Sequence, residues 1–189
     1  MMKIGIAGGI GSGKSYVCQR LQQRGYEVYD CDSAAKRLIR TSPEIREQLT
    51  RLVGPDAYNA EGQLNKAVIS RFLLASADNQ KAINDIVHPA VFRDFEESGM
   101  RWMESAIMYE SGIYKLVDRV LAVVAPKEVR IQRVMARDNI SREKVLEWMD
   151  RQMPQKELIH KADYVIVNDG QAEIDKQLKK IIVQCNKPF

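Results

Sequence analysis

A glycine-rich stretch near the amino end constrains this chain more than any other feature. Residues 8–15 read Gly-Gly-Ile-Gly-Ser-Gly-Lys-Ser. The apolar run Ile4–Ala7 comes directly before them, and a helical pattern begins near Lys14. A strand, a glycine-rich loop with this spacing and a helix, in this order, are typical of a phosphate-binding loop of the Walker A type. The alternative is a glycine-rich turn that only allows close packing.

The chemistry of a nucleoside triphosphate explains these residue types. A loop around a phosphate turns successive backbone N–H groups inward, with dihedral angles that a Cβ atom resists, so glycine is favoured. The N-terminus of the next helix adds unpaired N–H groups and the positive end of its dipole. The Lys14 side chain is then expected to reach the β- and γ-phosphates, and the Ser15 hydroxyl to ligate Mg²⁺. The motif predicts triphosphate binding but not the reaction.

Composition limits the other possibilities. A length of 189 residues favours one domain, with room for a small insertion. The net charge of +4 is too small to indicate a nucleic-acid partner. Cys18, Cys31 and Cys185 lack CxxC spacing, so we expect small buried residues and no disulfide or zinc site. We find no apolar run of membrane-spanning length and no signal-peptide pattern, so we expect a cytoplasmic protein without a membrane partner.

An acidic pair follows the second predicted strand, Tyr26–Tyr29. In open α/β sheets, ligands lie at the carboxyl ends of the strands, so Asp32 is expected in the same crevice as the phosphate loop. An ionised aspartate there can orient or deprotonate a hydroxyl group that attacks the γ-phosphate. The alternative is a helix cap, formed by Asp32 or Ser33.

The pattern over residues 33–102 is helical and shows no strand alternation. This block is too long for a connecting loop, which predicts a helical subdomain on the substrate side. His88-Pro89 is expected to separate two of its helices. His88 is then either a turn residue or a ligand contact.

Three further strands complete the predicted sheet. They are Ser105–Glu110, Arg119–Val124 and Tyr164–Val167, and the second is the most continuous apolar run, typical of a central strand. Glu110 is expected to fix the substrate or to contact Mg²⁺ through water, unless it is only a surface residue. Asn168 begins a turn expected near the nucleotide's base.

Two helical stripes lie between the last two strands. On the first, Arg130, Arg133 and Arg137 recur at spacings of three and four and share a face. Arginines on a mobile helix pair suit a phosphoryl-transfer lid, because they neutralise charge on the transferring group. The alternative is a solvated arginine surface.

Together these residues resemble the dephospho-coenzyme A kinase family along nearly the whole chain. The matching segments are Ile4–Ser15, Val28–Asp32, Ile86–Pro89, Ala125-Pro126 with Arg133 and Arg137-Asp138, Gln152, and Ala162–Asn168. The resemblance implies an α/β fold of the P-loop NTPase type, with three layers, a five-stranded parallel sheet, a helical CoA-binding insertion and a helical lid. It implies phosphorylation of the ribose 3′-hydroxyl of dephospho-CoA, the last step of coenzyme A synthesis, with ATP and Mg²⁺.

The resemblance also implies boundaries and roles. The nucleotide-binding core is expected at residues 1–32, 103–126 and 160–189, the CoA-binding subdomain at 33–102 and the lid at 127–159. The expected catalytic residues are Asp32 as the base, Lys14 and Arg137. Nucleotide contacts are expected from Gly9, Gly11, Ser12, Gly13, Lys14, Ser15, Tyr16, Arg133 and Asn168, substrate contacts from Asp32, His88 and Glu110, and the metal ligand is Ser15.

Two positions depart from the family pattern, and two other classes are considered. The family usually has proline at the position of Ala106, and many members have arginine at the position of Trp148. A P-loop kinase for another small hydroxylated metabolite or nucleotide is the nearest alternative. A GTPase-type switch is disfavoured because Asn168 is not followed by Lys-x-Asp. We expect dephospho-CoA and ATP as partners, no nucleic acid, and a monomer or weak homo-oligomer.

Overall fold

The computed structural model describes residues 2–185. Its strands are β1 (Ile4–Ala7), β2 (Val28–Asp30), β3 (Trp102–Glu104), β4 (Arg119–Val124) and β5 (Tyr164–Val167). Its helices are α1 (Lys14–Gln22), α2 (Cys31–Thr41), α3 (Pro43–Val53), α4 (Lys66–Ala75), α5 (Ala77–Ser98), α6 (Lys127–Asp138), α7 (Arg142–Asp150), α8 (Gln155–Lys161) and α9 (Ile174–Cys185). The described residues divide into two units, one up to Tyr29 and from Met100 onward, the other Asp30–Gly99.

The first unit is built on one sheet with the strand order β2-β3-β1-β4-β5. Strand β1 pairs in parallel with both β3 and β4, and β4 pairs in parallel with β5. The side chains of Ile4 and Ile6 lie on one face of β1 and are fully buried, because helices α1 and α9 pack in the same core cluster. The predicted five-stranded parallel α/β sheet is thus confirmed, and it places the loop after β1 at the middle of the sheet's carboxyl edge.

The hydrophobic core of this unit joins the sheet to helices α1 and α9. Val17 and Leu21 of α1 and Leu178 of α9 are fully buried together with β1 and β4. A smaller cluster around Ile131, Val134 and Val145 holds α6 against α7. None of the helices in residues 2–185 has the length and apolar character needed to cross a bilayer.

The third predicted strand is wrong in position. Strand β3 ends at Glu104, and residues 106–110 form a turn in place of the expected strand Ser105–Glu110. The strand ends there because β1, its partner, ends at Ala7, and the N–H of Ser105 makes a last bond to the carbonyl of Ile6. Met108 remains buried without being in the sheet, since its side chain packs against Gly5.

The second unit is helical, as the sequence pattern predicted. Helices α2, α3, α4 and α5 each begin with a side-chain cap, and the caps are Asp30, Ser42, Asn65 and Ser76. Helix α5 continues through Pro89, so the predicted break there is wrong. Its buried residues Val87, Ala90 and Val91 stay in helical phase across the proline, and their burial outweighs one lost backbone hydrogen bond.

Candidate active site

The phosphate loop presents unpaired backbone donors at the start of α1. Gly13 is the N-cap of this helix and makes no side-chain cap bond. In the part of the chain that the structure describes, the N–H groups of Gly11, Gly13, Lys14 and Ser15 have no hydrogen-bond acceptor. Four converging donors and a helix N-terminus form an anion-binding site.

The loop's carbonyl groups explain this orientation. The carbonyl of Ile10 accepts from Arg130 Nε at 2.9 Å, that of Gly11 from Arg133 Nη1 at 3.4 Å, and that of Ser12 from Asn168 Nδ2 at 3.0 Å. The N–H of a trans peptide points away from its C=O. Holding three successive carbonyls on the outside therefore turns the intervening N–H groups toward the concave side of the loop.

Two glycines of the loop have no substitute. Gly11 and Gly13 have φ angles of 76° and 88°, in the left-handed region. A Cβ atom on Gly11 would lie 2.5 Å from the carbonyl oxygen of Arg130, and one on Gly13 would lie 2.0 Å from Nδ2 of Asn168. Both the conformation and the close approach of neighbouring groups require glycine.

The Lys14 ammonium is paired with a carboxylate that sequence reasoning missed. Its Nζ atom lies 3.4 Å from Oε1 of Glu104, and both side chains are largely buried. Glu104 ends β3, next to β1, so it occupies the strand-end position that was expected for Glu110. In the sequence, Glu104 directly follows the apolar pair Trp102-Met103, which would have indicated a short strand that ends in an acid. The longer apolar run after Glu104 predicts a strand there instead.

Glu110 has a different setting. It lies in the turn after β3, where its carboxylate accepts a hydrogen bond from the backbone N–H of Met153 at 3.1 Å. It thereby ties this turn to the segment between α7 and α8.

The Ser15 hydroxyl suits a metal ion that arrives with a nucleotide. Ser15 is exposed in the first turn of α1, beside Lys14. No group of three or more His, Cys, Asp or Glu side chains in residues 2–185 is arranged to hold a metal by itself. Mg²⁺ usually takes one or two protein oxygens and completes its shell with phosphates and water, which this donor set fits.

The predicted lid arginines have different partners. Arg133 donates to the backbone carbonyl of Asn168 at 3.0 Å as well as to Gly11, so Arg133, Asn168 and the loop form one network. Arg137 is exposed, and its guanidinium makes two 2.8 Å bonds to the carboxylate of Asp138. That contact raises the pKa of Arg137. Tyr16 is 44% exposed, and the Arg20 guanidinium lies over its ring.

Asp32 and His88 belong to the second unit. Asp30, not Asp32 or Ser33, caps α2, because its carboxylate accepts from the N–H of Ser33 at 3.0 Å and from its hydroxyl at 2.7 Å. Asp32 is exposed in the first turn of that helix. The half-buried ring of His88 stacks on Phe92, with centroids 6.2 Å apart, and burial lowers the pKa of His88.

Comparison with known proteins agrees with this geometry. A family model for dephospho-CoA kinase matches residues 2–173. A dephospho-CoA kinase of Bacteroides fragilis (strain YCH46) is 38% identical over 188 residues, covering 96% of this chain and 91% of that protein. A Thermus thermophilus crystal structure has a TM-score of 0.85 at 34% identity, covering 99% of this chain and 98% of that one. A dephospho-CoA kinase from Campylobacter jejuni, 19% identical, shares the fold with a TM-score of 0.67 over 96% of each chain. With its phosphate loop, its parallel sheet and these matches, the chain belongs to the dephospho-CoA kinase family.

Proposed function

We propose that this protein transfers the γ-phosphoryl group of ATP to the ribose 3′-hydroxyl of dephospho-CoA, giving coenzyme A and ADP. This is the last step of coenzyme A synthesis. The observation that carries the proposal is the set of unpaired loop N–H groups beside the half-buried ammonium of Lys14, in a chain of this family.

The loop's part in the reaction follows from its charge. The N–H groups of Gly11, Gly13, Lys14 and Ser15 and the Lys14 ammonium bind the β- and γ-phosphates, and Lys14 exchanges its contact with Glu104 for the phosphate. The transition state of phosphoryl transfer is loose, so positioning and charge neutralisation contribute more than a strong base. The hydroxyl oxygen forms a bond to the γ-phosphorus while the bond to the ADP oxygen breaks.

We propose that Mg²⁺ binds together with the nucleotide. The Ser15 hydroxyl would hold it together with phosphate oxygens, and Glu104, once Lys14 has turned to the phosphate, would be free to contact it through a bound water. When bound, the ion neutralises charge on the β- and γ-phosphates. Ser15 and Glu104 would offer it hard oxygen donors.

The acceptor side of the reaction is assigned to the remaining predicted residues. We propose that Asp32 orients the 3′-hydroxyl and takes its proton, and that His88 and Glu110 contact dephospho-CoA. Arg137 is proposed to leave Asp138 and to offset charge on the transferring group. Its exposure and its position on α6 support that role.

The same proposal assigns roles to the segments. Residues 33–102 would bind dephospho-CoA, residues 127–159 would form the lid, and the rest would form the nucleotide-binding core. The helical character of Asp30–Gly99 and the three short helices α6, α7 and α8 support this division.

One coupled assay tests the activity. ADP release is measured with ATP and Mg²⁺, in the presence and absence of dephospho-CoA, and the acceptor is then replaced by a panel of nucleosides and hydroxylated metabolites. We expect ADP release only with dephospho-CoA, and release at least about a hundredfold slower from the Lys14→Ala control. Faster turnover with another acceptor, or preferential binding of GTP over ATP, would contradict the proposal.

A further inference from the structure

Arg130 is the one charged side chain that is buried among residues 2–185. It lies in the first turn of α6 and is 6% exposed. Its Nε donates to the carbonyl of Ile10 at 2.9 Å, and its Nη1 lies 3.5 Å from Oε1 of Gln155. Both acceptors are neutral. A buried guanidinium normally has an anionic partner, because taking a charge out of water is costly.

No such partner is present in the described part of the chain. None of its ion pairs includes Arg130, and burial is the cause that lowers the pKa of Arg130. Arginine stays protonated at any physiological pH. The residue therefore carries a permanent buried charge without a counter-ion among residues 2–185.

The charge lies against the phosphate loop. A Cβ atom on Gly9 would be 2.4 Å from Nη2 of Arg130, and Nη2 donates to none of the described residues. The backbone of the next residue, Ile10, is held on both sides, since its N–H donates to Oε1 of Gln152 at 2.7 Å and its carbonyl accepts from Arg130. Two segments far away in sequence thus fix the two successive peptide groups that flank Ile10.

We propose that Arg130 is a positioning residue for nucleotide binding, which fixes the Ile10–Gly11 peptide from outside the loop and whose buried charge attracts the polyphosphate of the nucleotide across the loop. The inference rests on the proposed function only in requiring that a nucleotide polyphosphate occupies the loop. Because the polyphosphate brings negative charge close to a guanidinium that has no ion pair among the described residues, loss of the charge weakens nucleotide binding more than it weakens the unliganded fold.

Three variants test this inference. Arg130→Met removes the charge at similar volume, and Arg130→Lys retains the charge but not the fork of donors. Arg142→Met is the matched control, because it removes an exposed arginine of α7 that is paired with Glu128. Binding of ATP and of ADP is measured by calorimetry, and KM and kcat are measured in the ADP-release assay.

We expect Arg130→Met to weaken ATP binding about 30-fold, which is the scale of one lost charge-assisted bond. The KM for ATP rises with it, while kcat and the KM for dephospho-CoA stay within about threefold of the parent. Arg130→Lys recovers part of the affinity, and Arg142→Met binds ATP as the parent does. If Arg130→Met does not fold, the neutral Arg130→Gln takes its place.

Two results would overturn the inference. The first is a Met or Gln variant that binds ATP with the parent's Kd, even if its Tm without ligand is lower, since Arg130 would then only support the fold. The second is an equal loss of ATP affinity in Arg142→Met, which would show that the net charge of the protein, and not the position of Arg130, determines the affinity. A parent protein that binds neither ATP nor ADP would remove the proposed function as well, so the two failures are distinguishable.

Discussion

At the scale of single residues, the concave side and the outer side of the phosphate loop have different functions. Lys14 and the unpaired N–H groups face the concave side, whereas Arg130, Arg133 and Asn168 bind the carbonyls on the outside. Residues of the first kind are expected to affect turnover, and residues of the second kind to affect affinity and loop shape.

Removing the charged groups proposed for the chemistry should slow turnover. We expect Lys14→Ala and Asp32→Asn each to lower kcat by at least about a hundredfold, because each removes a group that acts in the transition state. Steady-state kinetics measures the loss, and circular dichroism checks that the fold survives. A well-folded Asp32→Asn protein with near-parental turnover would exclude Asp32 as the base.

Two glycines with similar dihedral angles separate backbone strain from steric overlap. Gly11 has φ 76° and faces the carbonyl of Arg130, whereas Gly25 has φ 83° and no atom within 4 Å of its Cβ position. We expect Gly25→Ala to lower the free energy of unfolding by about 1 kcal/mol, and Gly11→Ala by at least about 2 kcal/mol, since overlap adds to strain. Urea titration measures the free energy of unfolding of both variants. Equal losses would show that the loop shifts enough to accommodate the extra methyl group at Gly11 without steric overlap.

His88 should make stability depend on pH. Its pKa is lowered from 6.5 by burial, and Asp85, one turn earlier, opposes this shift only in part. Below pH 6.5 the unfolded chain therefore binds more protons than the folded one, so the contribution of His88 to stability is present above that pH and is lost as the pH falls through the lowered pKa.

The measurement compares Tm between pH 7.5 and 5 for two substitutions. We expect His88→Gln to flatten the pH dependence of Tm, while His160→Gln, which removes the chain's other and exposed histidine, leaves it as in the parent. A parental slope in His88→Gln would assign the pH dependence to other groups.

At the scale of elements, helix α5 tolerates a proline that costs it stability. Pro89 has no N–H to donate to the carbonyl four residues earlier, and it is exposed. We expect Pro89→Ala to raise the free energy of unfolding by about 2 kcal/mol, because the gained helix bond exceeds the entropy that the unfolded chain regains. Pro43→Ala, at the first position of α3 where proline is favoured, is the control and should not stabilise.

Some of the secondary-structure elements could be predicted from the local sequence pattern, and others could not. Strand β1, the loop and α1 were predictable because their residue types follow from one local motif. Strand β3 was not, because Met108 is as apolar as a strand residue and only pairing with β1, about a hundred residues away, decides where the strand ends. The prediction that Pro89 breaks the helix was wrong for a related reason. Burial of one face of α5 in the tertiary structure outweighed the local preference of proline for a helix end.

In the candidate site, too, the residues of the local motif were predictable and their long-range contacts were not. Lys14 and Ser15 follow from the loop motif, but the contact of Lys14 with Glu104 depends on the strand order. The bonds from Arg130 and Gln152 to Ile10 span 120 and 142 residues, and helical periodicity contains no information about them. Periodicity could place Arg130 on a face but not on the loop.

At the scale of the whole molecule, nucleotide binding should stabilise the fold. At a concentration about 100 times Kd, a ligand adds about 2.7 kcal/mol, which raises Tm by roughly 5 to 10 °C in a chain of this size. We expect this shift with ATP and Mg²⁺ and a smaller one after addition of EDTA, with turnover lost as well. Differential scanning fluorimetry measures it, and an unchanged shift in EDTA would contradict the metal's proposed role.

The shape of the phosphate loop is determined late in the chain. Its glycines lie among the first thirteen residues, but the side chains that hold its carbonyls are at positions 130, 133 and 168. On the ribosome, a nascent chain that has emerged only as far as β4 contains Lys14 but none of these three anchors. The three anchors are complete only after Asn168 has left the exit tunnel, so we expect a shorter nascent chain to bind ATP more weakly than the finished protein.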